Sequence, residues 1–310
     1  MKNLILIIGI IFFITSCATF NSAYYNNALS EYHNGNYQSA LFYLDEILKE
    51  NENVFEALVL RSKVYLKLGN KDSAEKDLQK ALLLNEDYES HFIIAKIALD
   101  KKDYQTSLYH LDKAISLNPQ FIDGYLNRAY VFYQIGDYDK SLDDYKKAYE
   151  LNPHNSIPLT NIGFIYGLIG QNDKAMEFYT KAISINPNDF NAYYNRANEY
   201  LMKRKNQEAL NDFLNAYELN KNNIDLLFLI AETRVKMKDY QNAFNDYSKI
   251  LFIDSLNSKA YYQRGLLNIE LKREKAACED FTKSGSLGYF DAYEQIRKYC
   301  VKKPSSKKRK

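Results

Sequence analysis

The sequence predicts an all-α protein, an α-solenoid of about eight helical hairpins closed by a final helix. Three observations support this prediction. A 34-residue period runs through most of the chain, two columns of small residues recur in phase with it, and only five prolines and eleven glycines interrupt 310 residues. Few helix breakers, together with 46% hydrophobic residues, favour a folded helical chain over a disordered one.

The first predicted element is an export signal, residues 1–16. Lys2 precedes an apolar run from Leu4 to Ile14, which is too short to span a bilayer and fits the apolar region of a signal peptide. The run Ile14-Thr15-Ser16-Cys17 resembles the lipobox of bacterial lipoproteins. This resemblance implies a diacylated Cys17, a linker over residues 17–20, and sorting to the outer membrane because Ala18 rather than Asp follows. The alternative is an ordinary signal peptide with an incidental cysteine.

Residues 21–287 form the repeat array. One small residue marks each first helix: Ala28, Ser62, Ala95, Ala129, Gly163, Ala197, Ala231 and Gly265. Twelve residues later a second small residue marks each second helix: Ala40, Ala74, Ser107, Ser141, Ala175, Ala209, Ala243 and Ala277. Helices approach closely only where side chains are small, so the paired columns predict the crossing point of each hairpin.

Turns and bulky residues complete each predicted hairpin. Glycine, which ends helices in the left-handed conformation, stands in the turn at Gly35, Gly69, Gly136 and Gly170. Lys102, Arg204, Lys238 and Lys272 replace it in the other four units. A bulky residue follows the second small column by four positions: Leu44, Leu78, Leu111, Tyr145, Tyr179, Phe213, Tyr247 and Phe281. This spacing predicts one buried face on every second helix.

The array resembles the tetratricopeptide repeat in period and in its pattern of small and large residues. The resemblance implies a right-handed solenoid whose first helices line a concave groove for a peptide or protein partner. The seventh and eighth units depart from the pattern, because Arg234 and Asn268 occupy a first-helix position that is aromatic in most other units. We therefore expect these two units to be less regular.

The chain is predicted to end in a capping helix, residues 288–302, and a basic flexible tail, residues 303–310. Tyr293, Ile296 and Tyr299 are the apolar positions of the capping helix. Antiparallel packing would bring Cys278 and Cys300 near one another. A disulfide is chemically allowed in an exported protein, and two buried thiols are the alternative.

The candidate binding residues concentrate in units four to six. Asn127, Asn161 and Asn195 stand two positions before the small column. In related tetratricopeptide arrays an asparagine ladder in this column holds the backbone of an extended peptide, and a carboxamide suits this task because it both donates and accepts hydrogen bonds. The alternative is that each amide bonds a neighbouring helix.

Four aromatic residues flank the predicted ladder, namely Tyr130, Tyr133, Phe164 and Tyr194. They would place aromatic surface beside it to anchor partner side chains, unless the rings fill contacts between helices.

Several functions are excluded on the sequence. Seven of the 41 Lys and Arg residues lie at the two ends, which leaves 34 against 39 acidic residues in the body and argues against nucleic-acid binding. No Lys stands in the column that tetratricopeptide co-chaperones use to clamp a C-terminal carboxylate. The four histidines lack metal-ligand spacing and no catalytic motif is present, so we predict no metal, no cofactor and no enzymatic activity.

The sequence thus predicts a lipid-anchored scaffold in a bacterial cell envelope, facing the periplasm, that binds a protein or peptide. A glycan-binding outer-membrane lipoprotein is the alternative, although such receptors usually carry large insertions between repeats. An enzyme is the third possibility, for which the repeats leave no room.

Overall fold

The computed structural model describes residues 23–301, and every regular element in that range is helical. The predicted all-α fold class is therefore confirmed. No helix of the described range is long and apolar enough to cross a membrane. The predicted signal peptide, the linker with Cys17 and the basic tail lie outside the described residues.

The described residues form two compact units that meet in sequence at Asn152 and Pro153. In the first unit, α1 includes helical residues 23–33. It is followed by α2 (Tyr37–Glu50), α3 (Phe55–Lys67), α4 (Lys71–Leu84), α5 (Tyr88–Asp100), α6 (Tyr104–Leu117), α7 (Ile122–Gln134) and α8 (Tyr138–Leu151). Successive helices along the chain pack against one another.

The second unit repeats the same plan. It contains α9 (Ile157–Leu168), α10 (Asn172–Ile185), α11 (Phe190–Met202), α12 (Asn206–Leu219), α13 (Ile224–Lys236), α14 (Tyr240–Ile253), α15 (Ser258–Glu270), α16 (Glu274–Ser286) and α17 (Asp291–Gln295). The odd-numbered helices up to α15 are first helices of hairpins, and the even-numbered ones up to α16 are second helices.

All eight turns within the hairpins adopt the same left-handed conformation. Four turns place glycine there, with φ between 76° and 82°. The other four place Lys102, Arg204, Lys238 and Lys272 at φ of 58° to 60°. The hydrogen bonds are those of a helix C-terminal cap. In the turn at Lys102, for example, Asp103 N donates to Ala98 O, five residues back, at 2.9 Å. The hairpin geometry is thus kept even where the side chain disfavours it.

The two small columns lie where the helices of each hairpin cross, and their residues are buried. The bulky column is buried as well. At Gly163 an added Cβ would lie 2.7 Å from the ring of Tyr179, and at Gly265 it would lie 2.6 Å from the ring of Phe281. In these two hairpins the absence of a side chain is what allows a large ring to pack at the crossing point.

The expected irregularity of the seventh and eighth units is wrong. Helices α13 to α16 have 13, 14, 13 and 13 residues, as in earlier hairpins. Arg234 and Asn268 are accommodated because each bonds an aspartate twelve residues later. Arg234 pairs with Asp246, and Asn268 Nδ2 donates to Asp280 Oδ2 at 2.9 Å.

The predicted capping helix is shorter and less uniform than expected. Only Asp291–Gln295 is α-helical, and Ile296–Cys300 forms a π-helical turn. Cys278 and Cys300 are joined by a disulfide, with their Cα atoms 5.6 Å apart. Ile296 packs against the core, while Tyr293 and Tyr299 remain partly exposed. Residue 302 lies outside the described range.

Candidate functional site

Two of the predicted ladder residues lie on neighbouring first helices of the second unit. Asn161 is on α9 and Asn195 occupies the equivalent position on α11, and the two helices contact each other. Both side chains are half-buried, and neither makes a hydrogen bond to another residue of the described chain. Their carboxamides are therefore able to donate to and accept from a ligand.

The third predicted rung is placed differently. Asn127 lies on α7, in the first compact unit, and its Nδ2 donates to the carbonyl oxygen of Asp123 at 2.8 Å. This bond is made within its own helix, four residues back. The structure therefore brings Asn161 and Asn195 together in one unit and leaves Asn127 outside that pair.

Exposed apolar side chains accompany the two free amides. Ile157, Phe164 and Leu168 are exposed and share one face of α9 with Asn161, because their spacing follows the helical repeat. On α11, Met202 stands two turns after Asn195 and is 64% exposed. We call the following residues the α9–α11 face: Ile157, Asn161, Phe164, Leu168, Asn195 and Met202. Apolar surface with a few placed polar groups is typical of a ligand-binding surface.

The remaining predicted aromatics fall into two groups. The ring of Tyr194 stacks on Phe190, with centroids 6.0 Å apart, and meets Phe213 edge-on, so it belongs to the core of its unit. Tyr130 and Tyr133 lie on α7 in the first unit with ring centroids 6.3 Å apart, and Tyr130 is exposed. Of the four predicted aromatics, only Phe164 joins the α9–α11 face.

A set of ion pairs between arginine and buried aspartate was not predicted from the sequence. In every second hairpin an arginine directly precedes the small column and donates two hydrogen bonds to an aspartate sixteen residues later, at 2.6 to 3.0 Å. The pairs are Arg61 with Asp77, Arg128 with Asp144, Arg196 with Asp212, and Arg264 with Asp280. The recurring spacing of sixteen in alternate units was the signal available in the sequence.

Each arginine also reaches the preceding hairpin. Arg61 donates to Asp45 at 2.8 Å and Arg128 to Asp112 at 2.7 Å. Arg196 and Arg264 donate instead to the hydroxyl oxygens of Thr180 and Ser248. The hydrogen bonds that Arg61 donates to Asp77 stabilise the charged guanidinium and raise its pKa. One arginine thus ties a first helix to the second helices on both sides of it, which is a structural role.

A histidine pair is a second feature that the spacing of the sequence did not predict. His91 Nδ1 lies 2.8 Å from His110 Nδ1, and His91 Nε2 lies 2.8 Å from Glu86 Oε2. Burial and the neighbouring His91 lower the pKa of His110 to about 4. Between residues 23 and 301 no group of three or more His, Cys, Asp or Glu is arranged to hold a metal ion.

Family models match several stretches of this helical array. Models described as tetratricopeptide repeat match residues 122–155, 157–189, 178–211 and 258–284. The chain carries tetratricopeptide repeats. A model described as anaphase-promoting complex, cyclosome, subunit 3 matches residues 33–114. The tetratricopeptide repeats matched at 122–211 include all three predicted asparagines.

Solved structures show the same fold at low sequence identity. A tetratricopeptide protein fragment from Cytophaga hutchinsonii is 18% identical, with a TM-score of 0.64 over 76% of this chain and 97% of that chain. A tetratricopeptide protein from Parabacteroides merdae is 21% identical, with a TM-score of 0.55 over 80% and 99%. YrrB is 19% identical, with a TM-score of 0.52 over 60% and 97%. No curated protein gives a significant match.

Proposed function

We propose that this chain is a non-catalytic, membrane-anchored scaffold that binds a peptide or protein partner in a bacterial cell-envelope complex. The observation that carries the proposal is the α9–α11 face, where the unbonded amides of Asn161 and Asn195 lie among exposed apolar side chains. An extended peptide presents one donor and one acceptor per residue. The two carboxamides hold this backbone, while Phe164 and Met202 cover its apolar side chains.

The comparison with YrrB supports the same class of function. That protein is described as a tetratricopeptide protein with an unusual peptide-binding site. The binding surface proposed here includes two of the three predicted asparagines, because Asn127 lies in the first compact unit and donates one N–H of its amide within α7.

The binding proposal is tested by site-specific crosslinking in the native cell. Asn161 and Asn195 are replaced together by Ala, and the partner captured by the full-length chain is quantified. Asn188 serves as the matched control, because it is an exposed asparagine outside the α9–α11 face. We expect recovery to fall about tenfold or more in the double variant, as for loss of central binding groups, and to stay unchanged in Asn188→Ala. If wild type, the double variant and Asn188→Ala capture equal amounts of the partner, the proposal is wrong.

Membrane anchoring is proposed from the lipobox-like segment and is tested separately. Cys17→Ser removes the acceptor thiol for the acyl chains without changing the described fold. We expect the variant to leave the membrane fraction while keeping its helical circular dichroism spectrum. Retention in the membrane fraction after a salt wash contradicts lipid anchoring.

A further inference from the structure

Buried carboxylates in the described range are paired with arginine, with one exception. Five buried aspartates bond an arginine: Asp77, Asp144, Asp212, Asp246 and Asp280. Glu199 on α11 is buried to a similar degree, at 7% exposure, but no lysine or arginine nitrogen of the described chain lies within 4 Å of it. An ionised carboxylate out of water is costly unless a cation or several donors stabilise it.

The surroundings of Glu199 satisfy only one of its two oxygens. Asn172 Nδ2 donates to Oε2 at 2.7 Å. Oε1 lies against Gly167, where an added Cβ would be 2.8 Å away, and it accepts no hydrogen bond within the described range. Lys203, which directly follows the last residue of α11, is bound instead to Asp173. Burial raises the pKa of the Glu199 carboxyl more than the hydrogen bond from Asn172 and the charge of Lys203 lower it.

Glu199 and Gly167 both depart from the repeat pattern, and they contact each other. In the other units no charged residue occupies the position of Glu199; the residues there are Ser30, Val64, Ile97, Val131, Ile165, Thr233 and Leu267. Bulky residues occupy the position of Gly167, namely Tyr32, Leu66, Leu99, Tyr133, Leu201, Val235 and Ile269. The glycine makes room between α9 and α11 for the carboxylate, so the two exceptions together form one site.

This site adjoins the α9–α11 face. Asn195 stands one turn before Glu199 on α11, and Met202 stands one turn after it. The Asn172 amide nitrogen that bonds Glu199 also lies 3.7 Å from Met202 Sδ. The carboxylate therefore lies beside an exposed flexible thioether. Lysine and arginine place methylene stems on apolar surface and their charge in a polar site, which matches this arrangement.

We propose that Glu199 recognises a cationic side chain, lysine or arginine, of the partner peptide that binds the α9–α11 face. The inference rests on the proposed function and specifies the chemistry of the partner. The ligand cation is the counter-ion that the other buried carboxylates obtain from arginines of this chain. The charge of Glu199 then contributes specificity, because a partner without the cation leaves the carboxylate buried and unpaired.

The test is peptide selection from a phage-displayed random library on the full-length protein. Wild type, Glu199→Gln and Asn161→Ala/Asn195→Ala are compared. Glu199→Gln keeps the shape of the side chain and an oxygen that accepts from Asn172, but removes the charge. We expect wild type to enrich peptides with Lys or Arg at a fixed position, and Glu199→Gln to lose that preference. In a selected peptide, replacing the cation by norleucine weakens binding to wild type about tenfold or more and leaves Glu199→Gln unaffected.

The outcomes separate this inference from the function on which it rests. If wild type enriches peptides without Lys or Arg at a fixed position, or if Glu199→Gln keeps the preference for that cation, the role of Glu199 is wrong while peptide binding by this face still stands. The absence of enrichment on wild type, or enrichment that the double asparagine variant leaves unchanged, overturns peptide binding by this face. Gly167→Ala is a second variant that retains the charge but displaces the carboxylate, and it must also lose the cation preference.

A spectroscopic measurement tests the contact directly. The pKa of Glu199 is followed by NMR of the carboxyl carbon, with and without the selected peptide. A bound cation favours the ionised form, so the pKa falls when the cationic peptide binds. The norleucine peptide leaves it unchanged or raised. If Glu199 has only a structural role, its pKa is the same with the cationic and the norleucine peptide, and that result overturns the proposal.

Discussion

Removing one arginine of a buried pair tests the role of these pairs in stability. Arg196 donates to both oxygens of Asp212, at 2.7 and 2.9 Å, and to Thr180 Oγ1 at 2.9 Å. Asp212 is only 4% exposed. Arg196→Met keeps most of the apolar stem and leaves the aspartate buried without its cation. The expected loss of unfolding free energy is about 3–5 kcal/mol, the range for breaking a buried pair from one side.

A second substitution shows whether the loss comes from the unpaired charge. Arg196→Met combined with Asp212→Leu removes both charges, and a buried pair replaced by apolar residues of similar volume is close to neutral. We expect the double variant to recover most of the stability lost in the single variant. The matched surface control is Lys181→Met, because Lys181 and Glu177 form an exposed i,i+4 pair whose loss is expected to change stability little.

Urea unfolding followed by circular dichroism measures the stability of each variant. Native-state hydrogen exchange of α11 and α12 localises the effect, since a repeat array loses stability in the hairpins that are perturbed. A loss below about 1 kcal/mol in Arg196→Met, or a double variant no more stable than the single one, contradicts the predicted cost of an unpaired Asp212.

Three further predictions follow from the turns, the histidine pair and the disulfide. Lys238→Gly stabilises the protein by about 1 kcal/mol in urea unfolding, because a non-glycine residue at φ of 60° is disfavoured. Stability falls by on the order of 2 kcal/mol as the pH drops from about 6.5 towards 4, because the unfolded chain protonates His110 before the folded chain does. Replacing Cys278 and Cys300 by Ser removes a crosslink between residues 22 apart and destabilises the C-terminal segment by about 3 kcal/mol, measured by hydrogen exchange.

Each of these predictions has its own control. Gly170 has a φ of 76° and open space where a Cβ would be added. We expect Gly170→Ala to lower the free energy of unfolding by about 1 kcal/mol, opposite in sign to Lys238→Gly. A lower free energy of unfolding in both variants contradicts the conformational explanation. His110→Gln flattens the stability profile between pH 6.5 and 4, and an unchanged profile contradicts the assignment to His110. Protection of α17 that is equal with and without the disulfide contradicts its role in holding the end of the chain.

The repeat architecture was predictable because its determinants are local. The paired columns that include Gly163 and Ala175 recur with the period of one hairpin, and both lie buried at a crossing point as expected. The turns were predicted from glycine, and Lys238 adopts the same conformation because the helices on either side impose it. The irregularity expected at Arg234 was wrong because that expectation considered the position of Arg234 alone, whereas Arg234 pairs with Asp246 on the next helix.

The candidate binding site was only partly predictable. Asn127 and Asn161 occupy the same column of the repeat, so the sequence cannot distinguish them. The structure does, because Asn127 bonds the carbonyl of its own helix while Asn161 has no such bond. Likewise, the flanking aromatics differ in exposure, since Phe164 is 36% exposed and Tyr194 belongs to the core of its unit.

The sequence alone thus determined the helical hairpins, their period and their crossing points, since these follow from side-chain size and backbone preference at regular intervals. The tertiary structure decided which polar groups find partners. Partners of buried groups come from helices separated by many residues, as Arg196 and Asp212 show, and Glu199 is exceptional only because the arginine present elsewhere is missing beside it. Hydrogen bonding depends on the position and orientation of both groups, which a residue column does not specify.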